Sequence, residues 1–121
     1  MTVNNEKHKI MITLIHNSCD SLSEWAKKTD CDKMSKLLKI ITIDSENIYN
    51  RLSSSKETDD EYNYNLKKLE NIYAFLGDLF PDMEDFLAKP LDDTLWEYFT
   101  KIISNNTARN KEFKKYEINE N

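Results

Sequence analysis

One glycine in 121 residues leaves this chain few ways to turn sharply. Tight hairpins and phosphate-binding loops draw on glycine, which tolerates positive φ because it lacks a Cβ. Ordinary usage is about 7%. The prolines, Pro81 and Pro90, add only two further breaks. A β-sandwich needs a turn roughly every ten residues, so the economical solution is a few long helices joined by polar links. A chain of this length forms one domain and buries about two-thirds of its unfolded surface without metal or disulfide staples.

Apolar positions bear this out at helical spacing. Met11, Leu14/Ile15, Leu22 and Trp25/Ala26 predict a first helix over Val3 to Lys28. It reads as continuous through Ser21–Glu24, although that SLSE run has the form of a capping box. Asp30 or Asp32 is expected to cap a second helix. That helix carries Met34, Leu37/Leu38, Ile41, Ile48 and Leu52 and ends near Arg51 or Leu52. Its KIITI run, residues 39–43, has strand propensity, but the period across its twenty-residue surroundings is helical. SSSKETDDE, residues 53–61, is the clearest loop. A third stripe follows through Tyr62, Leu66, Leu69, Ile72/Tyr73, Leu76 and Phe80.

The segment LGDLFPDMEDF, residues 76–86, reads as helix end, corner and short helix. Gly77 falls in the last turn of the third helix. Pro81 suits the first position of the next, where its missing N–H costs nothing. Asp82, Glu84 and Asp85 then meet the positive end of the dipole. Pro90 stops this short helix, Asp92 or Asp93 caps the last one, and Leu95, Trp96, Phe99, Ile102 and Ile103 give it a wide apolar face. The expected fold is all-α: an up-down antiparallel bundle of four long helices with a short corner helix before the last one. Residues 1–104 make the domain. Residues 105–121 form a polar C-terminal tail, frayed or continuing as a helix, in which Phe113, Tyr116 and Ile118 stand among charges.

Residues 69–80, LENIYAFLGDLF, resemble the BH3 death motif of the Bcl-2 family. Leu69, Tyr73, Leu76 and Phe80 stand at its four apolar anchors, and Gly77-Asp78 at its small-acid position. The match departs at Tyr73, where that family favours leucine. The resemblance implies a helix that docks into a partner's groove. Helix punctuation accounts for the same residues, and the corner reading is the one carried forward.

Reaction chemistry is not evident. His16 and Cys19 share a helical face, with Cys31 and His8 further off, but this spacing is not that of a zinc site. A thiol nucleophile needs a base and a polarised setting, and only His16 is near in sequence. The paired carboxylates all lie at helix starts, where capping explains them. Phosphate loops, nucleophile elbows and HExxH motifs are missing from the sequence. No catalysis, metal or cofactor is expected. The start of the chain lacks a signal-peptide core, no run reaches the ~18 apolar residues of a membrane span, and two cysteines are too few for a secreted scaffold. These features predict a cytoplasmic protein with reduced thiols.

Charge is the informative property. Residues 57–100 carry twelve Asp/Glu against three Lys, a net −9 within a chain of −5. Such a field repels nucleic acid and steers a basic partner. The expected function is a non-catalytic binding protein, of inhibitor or immunity type, that sequesters a basic partner such as a nuclease toxin. Its contact residues would be Asp59, Asp60, Glu61, Asp82, Glu84 and Asp85, clustered at one end of the bundle, with Tyr64 as an aromatic anchor. Two alternatives are an adaptor or viral-type host modulator that takes a helix or peptide in an apolar groove, and a helical subunit of a larger assembly.

Overall fold

The computed structural model describes residues 3–54 and 60–117, with side chains from His8 onward. Three long helices come first: α1 (Val3–Lys28), α2 (Asp32–Ser54) and α3 (Asp60–Leu79). A short α4 (Met83–Leu87), then α5 (Asp93–Arg109) and a 3₁₀ segment (Lys111–Tyr116) complete the chain. Among the described residues there is no strand, and KIITI lies inside α2. There Ile41 is buried and Ile43 exposed, as a helical period requires of neighbouring β-branched residues.

Three ring contacts set the helix directions. His8, near the start of α1, meets Tyr49 late in α2 at 5.5 Å and Tyr62 early in α3 at 6.0 Å. At the other pole Trp25, late in α1, meets Phe80 just past α3 at 6.2 Å. Successive helices are therefore antiparallel, which their short links demand. α5 crosses the end of α3: Phe99 lies 5.0 Å from Phe80, and Arg109, ten residues on, pairs with Asp78 at 3.7 Å. Ile15 and Leu22, Met34, Leu37, Leu38 and Ile41, and Leu69 form the fully buried centre of α1 to α3.

The α1–α2 corner is turned without glycine. Asp30 takes the left-handed conformation, φ 54°, with its N–H bonded to Lys27 O at 3.2 Å and Cys31 N–H bonded to Ala26 O at 3.0 Å. This pair of bonds is a Schellman ending, and Asp is one of the few side chains that tolerates its αL position. Neither aspartate caps α2, contrary to the expectation from sequence. Asp30 belongs to the previous helix's ending, and Asp32 is the first helical residue of α2.

The corner at residues 76–86 has the predicted layout with one shift. Gly77 lies within α3, which runs on to Leu79. Asp82, rather than an acid after a first-position proline, begins α4: its carboxylate accepts from Asp85 N–H at 3.2 Å. Pro81 stands one residue before that cap. Asp92 caps α5 in the same way, accepting from Leu95 N–H at 2.9 Å. Trp25 Nε1 donates to the Lys89 carbonyl at 2.7 Å, tying the end of α1 to the end of α4 and satisfying the buried indole.

The C-terminal region is folded through most of its described length. α5 continues through residues 105–109, and residues 111–116 fold back as a 3₁₀ segment. Phe113 and Tyr116 are buried in the same core as the bundle. Phe75 of α3 stacks on Tyr116 at 5.2 Å and meets Phe113 at 4.9 Å. Residues 105–117 are thus part of the domain, because two aromatics three apart eclipse on a 3₁₀ turn and bury together. Ile118 lies outside the described residues.

Candidate functional site

The two capped acidic starts and the α1–α2 corner all meet at one pole of the bundle, opposite His8 and Tyr62. An open groove of about 570 Å³ runs there between α4 and α5, lined by Phe86, Pro90, Leu95 and Tyr98 with Lys89, Asp92 and Thr94. Phe86 is buried against Phe80 and Phe99 at 5.7 and 5.6 Å, while Tyr98 stacks on its outer face at 6.1 Å and remains exposed. A second cleft of about 280 Å³ adjoins it across Asp92. Four aspartates line it, Asp30 and Asp32 from the first corner with Asp92 and Asp93 from the start of α5, around Cys31, Leu91 and Trp96. Lys33 Nζ stands 6.0 Å from the centre of the Trp96 ring.

The aspartates gather here for local reasons. Three stand at helix starts, Asp32 of α2 and Asp92 and Asp93 of α5, and Asp30 ends α1; the antiparallel return brings these helix ends to the same pole. Among the described residues, Asp30, Asp32, Glu84 and Asp93 enter no salt bridge, whereas Asp85 pairs with Lys89 at 2.8 Å. That contact raises the Lys89 pKa above its ordinary value, through the hydrogen bond to Asp85 first and its charge second.

The residues expected to form one contact face divide between two poles. Asp82, Glu84 and Asp85 surround α4 beside the apolar groove. Asp60 and Glu61 open α3 at the far pole, some 30 Å away along a twenty-residue helix. Clustering at one end is therefore corrected: a helix separates its start from its end by its whole length, however close in sequence their charges fall. Asp59 lies outside the described residues. Tyr64 is 58% exposed, yet its O–H donates to Glu112 Oε1 at 3.2 Å and Lys68 Nζ sits 4.5 Å from its ring. It braces the C-terminal segment. Its neighbour Tyr62 is fully buried, in line with the rule that residues two apart face different ways on a helix.

Asp30, Asp32, Trp96 and Tyr98 belong to this pole but were not singled out as a site from sequence. No linear signal joins Asp30 to Asp93, sixty residues on, since only the antiparallel return brings them together. The BH3-like anchors are likewise clarified: Leu69, Leu76 and Phe80 are buried and only Tyr73 is exposed, at 45%. A ligand helix must present its anchors outward, and the folded chain turns three of these four inward.

The sulfur and imidazole groups differ in their surroundings, and His16 Nε2 is buried with no hydrogen-bond partner among the described residues. Cys19 is buried, and loss of solvent raises its thiol pKa despite a hydrogen bond with Thr42. A thiol so held is a poor nucleophile. His8 Nδ1 lies 3.1 Å from the Tyr62 hydroxyl. Among the described residues, no three His, Cys, Asp or Glu side chains group as metal ligands, and no helix is long and apolar enough to cross a membrane. Searches of family models, of curated proteins and of solved structures return no match to this chain.

Proposed function

We propose that this chain is a non-catalytic binding protein that captures a basic protein surface at the α4–α5 pole, as an inhibitor or immunity-type protein does with a nuclease toxin. The observation that carries the reading is the juxtaposition of the Phe86–Tyr98 groove with the aspartate-lined cleft beside Trp96. Tight interfaces combine a desolvated aromatic centre with a charged rim, and both are present here on adjoining surfaces. Carboxylates presented outward accelerate encounter with a cationic partner and occupy positions that such a partner would otherwise give to phosphates. The alternative of an adaptor taking an apolar peptide draws on the same groove, with the acids then only solvating its edge.

Salt and charge separate the two. An arginine- and tryptophan-containing peptide, followed by fluorescence anisotropy, serves as probe. Affinity is expected to fall steeply between 50 and 300 mM salt, because exposed charges are screened within a Debye length of about 10 Å at 0.1 M. An apolar peptide whose binding ignores salt would favour the adaptor reading and overturn capture by charge.

A further inference from the structure

Charge is not spread evenly over the two adjoining surfaces of the α4–α5 pole. In the Phe86–Tyr98 groove the lysine is neutralised, since Lys89 pairs with Asp85 at 2.8 Å. In the cleft beside it four aspartates face one lysine, Lys33, an excess of three negative charges. The starts of α2 and α5 offset about half a charge each, and the cleft stays negative. Among the described residues the carboxylates of Asp30, Asp32 and Asp93 have neither a hydrogen-bond nor an ion-pair partner. Asp92, which lines both surfaces, spends Oδ1 on the α5 cap. The two tryptophans differ in the same sense. Trp25 is buried and its indole N–H donates to Lys89 O at 2.7 Å. Trp96 is half-buried in the cleft wall, and its indole N–H has no partner among the described residues.

Lys33 Nζ stands 6.0 Å from the centre of the Trp96 ring, the outer range of a cation–π contact, and the cleft is open with Lys33 in place. An indole face beside unpaired carboxylates suits a guanidinium, which is planar, stacks on aromatic rings and donates to a carboxylate through two parallel N–H groups. An ammonium is a compact, strongly hydrated charge that gains less from either. The spare indole N–H suits a backbone carbonyl of the same segment. We propose that this pole takes an arginine-bearing segment. Its guanidinium lies on Trp96 and pairs with Asp30 and Asp93, while a neighbouring apolar side chain enters the Phe86–Tyr98 groove. This assignment rests on the capture of a basic partner at the α4–α5 pole and adds to it the kind of cation, its seat and the apolar group beside it.

The test follows the indole N–H signals and the Leu95 amide of the full-length chain by NMR. Blocked peptides Ala-Arg-Ala-Phe-Ala and Ala-Lys-Ala-Phe-Ala are added at 50 and 300 mM salt, the alternation placing cation and ring on one side of an extended segment. The Trp96 signal is expected to shift and the Trp25 signal to stay, with the arginine peptide bound at least about threefold more tightly than the lysine peptide. Trp96→Leu is expected to bring that ratio to about one. Asp30→Asn with Asp93→Asn is expected to weaken the arginine peptide about fivefold, and asparagine keeps the left-handed corner. Equal affinity for the two peptides with salt dependence intact overturns the arginine assignment and leaves capture by charge standing. Binding of neither peptide, or binding that ignores salt, overturns both. A peptide with alanine in place of phenylalanine that binds as tightly overturns the apolar half. If Trp96→Leu does not fold, the wild-type ratio and the Trp96 shift decide, and a Trp96 signal unmoved at saturation overturns the proposal.

Discussion

The phenol of Tyr116 donates to Asp44 Oδ2 at 2.6 Å across seventy-two residues of chain, joining the C-terminal segment to the middle of α2. Burial is the main reason the Tyr116 pKa is pushed far above its ordinary value, and the hydrogen bond to Asp44 adds to it. Replacing the residue with phenylalanine keeps the stack on Phe75 and removes only the hydroxyl. A hydrogen bond to a charged group is worth about 1.5–3 kcal/mol. The Asp44 side chain is 22% exposed and keeps Lys115, so the expected loss on Tyr116→Phe is about 1.5 kcal/mol by urea denaturation at pH 7.

The same pair sets a pH dependence. Because the folded pKa of Tyr116 is raised, its contribution to stability is complete below the unfolded tyrosine value of about 10 and declines as pH rises above it. From there the unfolded chain sheds a proton that the folded one keeps, at about 1.4 kcal/mol per pH unit. Wild type is therefore expected to lose about that much more stability than Tyr116→Phe between pH 10.5 and 11.5. Parallel stability curves for the two proteins would show that the phenol ionises freely in the fold.

Gly77 offers a stabilising substitution. It lies on the exposed face of α3, takes no positive φ, and a Cβ added there meets nothing within 4 Å. Alanine restores helix propensity and restricts the unfolded chain. Gly77→Ala is expected to add about 0.5–1 kcal/mol and raise Tm by roughly 3 °C. A drop in Tm would indicate that the last turn of α3 needs glycine's freedom.

Asp30 offers the reverse case. Its φ of 54° favours glycine, so Asp30→Gly is expected to raise stability by about 0.5–1 kcal/mol, and Asp30→Val to lower it by 1–2 kcal/mol. Calorimetry of the three proteins at one pH checks the order Gly, Asp, Val.

The division of the acids between two poles makes opposed predictions for binding. Asp82→Asn, Glu84→Gln and Asp93→Asn together remove charge beside the apolar groove, and the first keeps the α4 cap because asparagine caps as well as aspartate. At a few tenths to 1 kcal/mol each, the triple change is expected to weaken the cationic probe about tenfold. Asp60→Asn with Glu61→Gln, at the other pole, is expected to leave affinity within twofold. Equal effects from both sets would mean that net charge, rather than a surface, attracts the probe.

Helix positions were legible because each is a local matter. The apolar period of α1 from Val3 to Lys28 and the polar and proline breaks around it need no long-range contact. For the same reason Tyr62 falls on the apolar stripe of α3 while Tyr64, two residues on, cannot share it. Capping chemistry located the start of α5 within a residue. The Schellman corner at Asp30 was missed because an aspartate in place of glycine carries no distinctive signal in one dimension.

What lies far apart along the chain could be decided only in space. Residues 111–116 are mostly charged and look like solvated tail, yet two rings find Phe75 and bury beside it. Asp60 and Asp82 look like neighbours in a −9 block, yet a rigid helix holds them at opposite poles, while Asp30 and Asp93 come together. Local free energies of helix, cap and turn are written in adjacent residues. Which surfaces meet depends on how those rods return past one another, and that is settled by the burial of the whole set at once.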